Sequence, residues 1–496
     1  MAIIPPRRYV ERQMGLSEDK IENWVSENGK KKPKRSIFSP VADEIQSFLN
    51  HKHQKNVIII PGLRGIGKTT LLFQLYDEFR EEFAEGRMLY LTCDDLGSFK
   101  LDLIEVLNAY EKFFLEEDLE ALGRNEKVII FLDEAHYQEG WAEKVKSYSD
   151  RSQNLMFIVT GSSALALDIS TDLARRKKEF DMFPLNFPEY LRISKLAGKR
   201  GTVSLPEDPV LKIMRAMFGN VDQKNIQREL EAAFPRLRTK YLSKITPWEP
   251  KLEKFLVQGG FPFCVGERKR EIHEDILEIC QRISDEDLPL VSPVGKRGKV
   301  AKSGLNVLQL IADSPAFSLR RIAESIGDIS RESISNLLGG YSKAGLIQTL
   351  QPYGSAKEMT RKANEYYFAS STVQAALWQR VGGLTEDEKQ LGKLWETFAA
   401  NSMFRMKKAS NLVEDLFYDY RDGGADFIVQ LRNGDLVPVE VGWGEKDVRQ
   451  VLTTLERIGG DYGVVVSDRA EGYRKVETGE GDFDVYFLPR EIFMVL

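Results

Sequence analysis

At 496 residues the chain is too long for one ordinary hydrophobic core, and about three domains are expected. Hydrophobic content of 42% beside charged content of 29% belongs to a folded globular chain and excludes a disordered one. No apolar run approaches the roughly 20 residues that span a bilayer, and the opening MAIIPPRRYVERQMG has neither an apolar h-region nor a cleavage site, so the sequence predicts a cytoplasmic protein with no membrane partner. A net charge of −5 excludes a uniformly basic nucleic-acid binder but not a local basic face. Cys93, Cys264, Cys280 and the four histidines show no metal-ligand spacing, so no structural metal is expected.

Residues 1–55 read as a lead-in with one short amphipathic piece, Val41 to Leu49. Two basic runs, Lys30 to Arg35 and Lys296 to Lys299, lack helix or strand periodicity; the expected role is a solvated linker, with phosphate contact as the alternative for the first. The first strong strand is Val57 to Ile60. Helix and strand patterns then alternate to about Leu196 without hairpin signals, predicting an α/β domain over 56–200 with a parallel sheet and crossover helices.

Gly62-Leu63-Arg64-Gly65-Ile66-Gly67-Lys68-Thr69 fits the GxxxxGK[ST] phosphate loop, or Walker A motif, in full, between an apolar strand and a predicted helix beginning at Thr70. Gly62, Gly65 and Gly67 let backbone N–H groups turn inward on phosphates. Lys68 reaches the β- and γ-phosphates, Thr69 offers a hydroxyl to Mg²⁺, and Thr70 lies beside them at the helix start. Val128 to Glu134 is a buried strand ending in two carboxylates, a Walker B arrangement: Asp133 organises Mg²⁺ and Glu134 polarises the attacking water. ATP and Mg²⁺ are the expected cofactors. With His136 the string reads DEAH, but the chain after Leu196 offers no second run of sheet and crossover helices for a two-domain helicase, so His136 is read as a packing or hydrogen-bonding residue. Leu155 to Ser163 is the next apolar strand, its polar end expected between the two earlier motifs, with Thr160 the candidate sensor of the γ-phosphate. Of Arg175 and Arg176, just before the strand Phe180 to Phe183, Arg176 is the candidate arginine finger toward a neighbouring subunit; dipole partnership at a helix end is the alternative.

Residues 201–300 turn helical and charged, read as a lid or connector broken at Gln258 to Pro262. Over 301–370, Leu319 to Ala323 and Ile329 to Leu338 have helix-turn-helix patterning with a Ser cap, and Leu346 to Leu350 and Tyr366 to Phe368 would be wing strands. Arg331, Ser333, Ser335 and Asn336 at the start of the second helix are the DNA-binding candidates. A protein-interaction module is the equal alternative, since that stretch carries one basic residue. Residues 386–496 return to mixed α/β.

The phosphate loop, the acidic strand with Gln138 to Trp141, Thr160 to Ser163, Leu173 to Arg176 ahead of Phe183-Pro184-Leu185, and Gly259-Gly260-Phe261-Pro262 together resemble a group of archaeal and bacterial AAA-type ATPases that carry a C-terminal restriction-endonuclease-like domain. The resemblance runs nearly end to end and implies an ASCE-type sheet and a homo-oligomer. In that group a glycine-arginine pair is usual before the strand; Arg176 matches and Arg175 departs. Leu394 to Phe398, Ala425 to Val429 and Pro438 to Val441 likewise resemble the PD-(D/E)xK nuclease core, which implies Asp426 and Glu440 as metal ligands with Glu396 assisting. The lysine that this pattern places two residues after the glutamate is replaced by Gly442, with Lys446 near in sequence, so a degenerate domain used for binding is expected and metal-dependent cleavage is the alternative. The function these readings imply is Mg²⁺-dependent ATP hydrolysis driving a conformational switch or motor on DNA. The alternatives are a signalling or defence-type ATPase whose C-terminal modules bind a protein partner, and an ATPase-coupled nuclease.

Overall fold

The computed structural model describes residues 4–14, 18–52, 55–115, 118–122, 126–162, 175–195, 207–219, 223–291, 303–314, 319–327, 329–468, 472–478 and 481–496. Ser163, Leu173, Ala174 and the basic run 296–299 lie outside the described residues. The chain divides into two compact units, Met1–Phe183 with Lys343–Gly345, and Pro184–Ser342 with Leu346–Leu496. Among the described residues no helix is long and apolar enough to cross a membrane.

The first unit is built on five parallel strands: β1 (Val57–Pro61), β2 (Met88–Thr92), β3 (Val128–Asp133), β4 (Leu155–Gly161) and β5 (Lys177–Glu179), in the order β2-β3-β4-β1-β5. Strands β1, β3 and β4 are buried along their whole length, which is why they read as continuous apolar runs rather than as alternation. Because β4 lies between β1 and β3, the three motif-bearing strand ends stand side by side at one edge of the sheet. The strand before Phe183 is Lys177–Glu179 rather than Phe180 to Phe183; Phe180 and Met182 continue it with single bonds to Ile59 and Pro61 carbonyls.

The described residues of 1–55 are an integral part of this unit rather than a lead-in. Helix Pro6–Met14 places Tyr9 and Val10 in the core beside Leu89, Leu91 and Leu103, and the Tyr9 hydroxyl donates to the Thr92 carbonyl. Helix Glu18–Val25 brings Trp24 flat against Phe73, with ring centroids 5.4 Å apart. The run Lys30 to Arg35 is not a solvated linker. Lys31 pairs with Asp77, Lys34 pairs with Glu78, and Gln74 donates to the Lys32 carbonyl, so the run is pinned along helix Lys68–Phe79.

The second unit contains the helical connector and a mixed eight-stranded sheet. Its strands are β6 (Ile347–Pro352), β7 (Glu365–Phe368), β8 (Val413–Tyr418), β9 (Phe427–Leu431), β10 (Leu436–Val441), β11 (Tyr462–Ser467), β12 (Gly472–Thr478) and β13 (Gly481–Pro489), in the order β12-β13-β11-β10-β9-β8-β6-β7. Three helices, Gly304–Asp313, Leu319–Ile326 and Arg331–Lys343, precede the antiparallel β6–β7 hairpin. The hairpin is not a free wing: β6 also pairs in parallel with β8 at Gln351 and Pro352, so it forms one end of the large sheet, and helix Ala356–Arg361 occupies its connection. From Glu388 onward the element order is a long helix (Glu388–Ala409), the antiparallel β8-β9-β10, a helix (Arg449–Ile458) and β11 parallel to β10. Leu394, Trp395 and Phe398 are the apolar face of the long helix, and Trp395 is fully buried against Phe398 and Phe493.

Two segments distant in sequence meet here. The Leu185 N–H donates to the Gly260 carbonyl, and the Gly260 N–H donates to Thr372 Oγ1; a Cβ on Gly260 would collide with Ser370 Oγ at 2.0 Å.

Candidate functional site

At the C-terminal edge of the first unit's sheet, the chain leaves β1 at Pro61, turns through residues 62–67 and enters helix Lys68–Phe79. Gly65 and Gly67 hold φ of 83° and 95°, a left-handed conformation open to glycine at little cost. A Cβ on Gly62 would lie 2.5 Å from Ile66 Cδ1 and 2.6 Å from the Met182 carbonyl. The Lys68 side chain is 4% exposed, its ammonium donating to the Gly62 and Leu63 carbonyls at 3.1 and 3.2 Å, and it stands 3.5 Å from Glu134 Oε1. Lys68 is the first residue of the helix, and Thr69 and Thr70 follow it, both half-buried.

Asp133 ends β3, 3% exposed, and collects three hydroxyls. Thr69 Oγ1 donates to its Oδ2 at 2.7 Å, the Tyr90 hydroxyl to the same oxygen at 2.9 Å, and Thr160 Oγ1 to its Oδ1. Burial, and then the Glu134 charge, push the Asp133 carboxyl above the ordinary carboxylate range. A cation beside Thr69 and Asp133 would offset that cost, and both supply hard oxygens, so these residues fit Mg²⁺.

Glu134 sits at φ 52°, unusual for a residue with a side chain and costing on the order of 1 kcal/mol. Its N–H donates to Thr160 Oγ1 at 3.3 Å, which holds the turn and aims the carboxylate toward Lys68. Thr160 is fully buried, and its one hydroxyl proton goes to Asp133, so it reaches the site as the anchor of the acidic turn. His136 accepts the Ser162 N–H on Nδ1 at 3.2 Å, with Glu134 Oε2 3.3 Å from the same nitrogen; it joins the ends of β3 and β4, a hydrogen-bonding role. Tyr90 was not foreseeable, since nothing in its strand distinguishes an aromatic core residue from one whose hydroxyl serves Asp133.

Arg176 is not in this group. Its carbonyl accepts the Val57 N–H, so it lies at the N-terminal end of β1 and β5, the opposite sheet edge from the phosphate loop and roughly 13 Å of strand away. Its guanidinium, 44% exposed, pairs with Asp150 of the same chain. That placement excludes action on the nucleotide of its own loop.

Arg35, from the pinned basic run, is 8% exposed and donates to the Ile66 carbonyl at 2.9 Å and the Phe183 carbonyl at 2.8 Å. It braces the centre of the phosphate loop from behind. Arg35→Ala is expected to leave both carbonyls without this donor, costing about 1–3 kcal/mol of stability, and to weaken nucleotide binding. Urea unfolding and nucleotide titration would check this; unchanged values for both would remove Arg35 from the support of the loop.

In the second unit, β9 and β10 run antiparallel, so the residue just before β9 faces the end of β10. Asp426 Oδ2 accordingly accepts the Val441 N–H at 2.8 Å, beside Glu440. Glu440 is 1% exposed; its Oε1 accepts from Lys446 Nζ at 2.6 Å, while its buried Oε2 has no hydrogen-bond partner among the described residues. Glu396 accepts the Tyr367 hydroxyl at 2.8 Å. Burial, then Glu440 and Glu396, raise Asp426 well above the usual carboxylate range; burial likewise raises Glu440 and Glu396. Burial pulls the Lys446 ammonium down, but Glu440, Asp426 and Glu396 outweigh it and hold its pKa above the ordinary value. Glu365, burial first and Glu396 second, is pushed up to about 7. Among the described residues no three Asp, Glu, His or Cys side chains converge as a metal-ligating group. The protein ligands here would be Asp426 and Glu440, and two carboxylates with the remaining positions open suit Mg²⁺ or Mn²⁺.

On the helix Arg331–Lys343, Arg331 and Ser335 are exposed and Ser333 and Asn336 half-buried. Ser330 is the cap, its Oγ accepting the Ser333 N–H and bonded to Ser333 Oγ at 2.9 Å.

Residues 54–191 match the family model of an AAA domain. The strand order, with β4 between the phosphate-loop strand and the acidic strand, agrees with that match, and the first unit has the parallel-sheet P-loop fold of an AAA-type ATPase. Similarity continues beyond the AAA domain. An uncharacterized protein of Methanocaldococcus jannaschii is 29% identical over 471 residues, covering 94% of this chain and 90% of that protein, and a second from the same organism is 23% identical over 451 residues, covering 87% and 86%. The structure of the Aeropyrum pernix ORC1 protein in complex with DNA aligns at 14% identity and TM-score 0.31 over 74% of this chain and 96% of that one.

Proposed function

We propose that the chain is a Mg²⁺-dependent ATP hydrolase whose nucleotide cycle drives a conformational switch acting on DNA. The observation that carries the first half is the convergence of Lys68, Thr69, Asp133 and Glu134 at one sheet edge within 3.5 Å contacts. Lys68 and the loop N–H groups bind the β- and γ-phosphates, and Thr69 and Asp133 hold Mg²⁺, which when bound neutralises phosphate charge. Glu134 orients the attacking water and takes up its proton as the γ-phosphorus–oxygen bond breaks. Thr160 and His136 hold Glu134 in its left-handed turn, so Thr160 senses the γ-phosphate through the acidic turn. Arg176, at the opposite sheet edge, serves a neighbouring copy in a homo-oligomer.

The DNA half of the reading is supported by three helices followed by a hairpin, with Arg331 and Ser335 exposed at the start of the third helix. It is also supported by the helix–three-strand–helix–strand order that carries Asp426 and Glu440, the order of a nuclease-like core. The rival reading, in which these modules bind a protein, is favoured by the single basic residue at that helix's start, beside the exposed Glu332. Measuring ATP turnover by the full chain with and without DNA separates the two.

A further inference from the structure

Position 442 is where a PD-(D/E)xK site would carry its lysine, and Gly442 leaves that place without a side chain. The space is not empty. A Cβ built on Gly442 would lie 2.3 Å from Lys446 Cγ, 3.1 Å from its Cδ and 2.9 Å from its Cε. The aliphatic stem of Lys446 therefore runs across the face of Gly442 through the volume a side chain there would take, and its ammonium ends 2.6 Å from Glu440 Oε1. The other Glu440 oxygen is buried and has no hydrogen-bond partner among the described residues, although the residue is 1% exposed. A buried carboxylate oxygen in that condition is costly unless a ligand satisfies it. With Asp426 directly beside it, the ligand of matching chemistry is a divalent cation.

We propose that Lys446 supplies, from six residues beyond Glu440, the ammonium group that the pattern places at 442, and that Asp426, Glu440 and Lys446 form a divalent-cation-dependent site for hydrolysis of DNA phosphodiester bonds. The proposal rests on the nuclease-like reading of this unit. Glycine at 442 is then a condition of the site, because any larger residue would displace the lysine stem. The oxygen of a water attacks phosphorus, the bond from phosphorus to the leaving ester oxygen breaks, one proton of the water departs to solvent and the leaving oxygen takes one up. The net change is addition of H and OH across one P–O bond, with no redox step. The cation supplies Lewis-acid polarisation when bound. Lys446 orients the water and offsets the negative charge that builds on the phosphate.

The test uses the full chain, supercoiled plasmid DNA and Mn²⁺, with Mn²⁺ binding followed separately by calorimetry. Wild-type protein is expected to bind Mn²⁺ and nick the plasmid. Lys446→Ala is expected to bind Mn²⁺ at least as tightly, having lost a competing cation, while nicking falls by about 10²-fold. The relocated lysine of Gly442→Lys/Lys446→Ala should recover most of that loss, and this gain separates chemistry from misfolding. Nicking that persists in Lys446→Ala but disappears in Glu440→Ala would overturn the role of Lys446 and leave the nuclease-like reading standing. Mn²⁺ binding without nicking by the wild type would overturn the hydrolytic proposal. Absence of Mn²⁺ binding would overturn the proposal and the nuclease-like reading together.

Discussion

Lys68→Ala protein is expected to lose measurable ATP binding, whereas Glu134→Gln protein is expected to bind Mg²⁺-ATP with near wild-type affinity and turn it over about 10²–10⁴-fold more slowly. The two residues stand 3.5 Å apart, yet they act at different stages. The Lys68 ammonium is buried and rests on two loop carbonyls, so its charge belongs to the loop and is felt by phosphates already in the ground state. Glutamine keeps the size of Glu134 and its backbone bond to Thr160, but it cannot accept the water proton, so the loss falls on the chemical step. Nucleotide titration and phosphate release measured on the same preparations separate binding from chemistry. Wild-type turnover by Glu134→Gln protein would remove Glu134 from its role.

Arg176→Ala is expected to reduce turnover by about 10³-fold with nucleotide affinity unchanged, since an arginine acting from a neighbouring copy stabilises charge that develops only during phosphoryl transfer. The geometry sharpens this, because Arg176 lies at the far edge of the sheet from its own phosphate loop and pairs with Asp150. Any catalytic effect must then be exerted in trans. Mixing Arg176→Ala with Lys68→Ala protein should restore turnover, because some junctions will join an intact loop to an intact arginine. If the mixture stays inactive and the protein remains monomeric with ATP, the assignment is wrong.

The phosphate loop and the acidic strand were readable because their chemistry is local: three glycines, a lysine and a threonine at fixed spacing, and a buried apolar run ending in carboxylates. The lateral placement of Leu155 to Gly161 between them followed from the apolar run and its polar end, and the observed order β3-β4-β1 has it there. What failed was what depends on distant partners. Lys30 to Arg35 has the composition of a solvated run, and only the contacts of Arg35 with Ile66 and Phe183 give it a structural role. The joining of the hairpin to the C-terminal sheet rests on two paired residues, Gln351 and Pro352, too short a ladder to leave a pattern. Sequence spacing shows only that position 442 has no side chain; it does not show that the loop after β10 turns the Lys446 stem back across that volume.

The measurement that bears most directly on an ATP-driven switch acting on DNA is the steady-state rate of ATP hydrolysis by the purified full chain with Mg²⁺, compared without DNA and with single-stranded, duplex and branched DNA. A rate that rises several-fold with at least one of these DNAs, falls back as salt screens the phosphate contacts, and is absent in Lys68→Ala protein is the predicted result. A rate indifferent to every DNA tested, at low salt and with a functional nucleotide site, would contradict the DNA reading and leave an ATPase whose second unit answers to a protein.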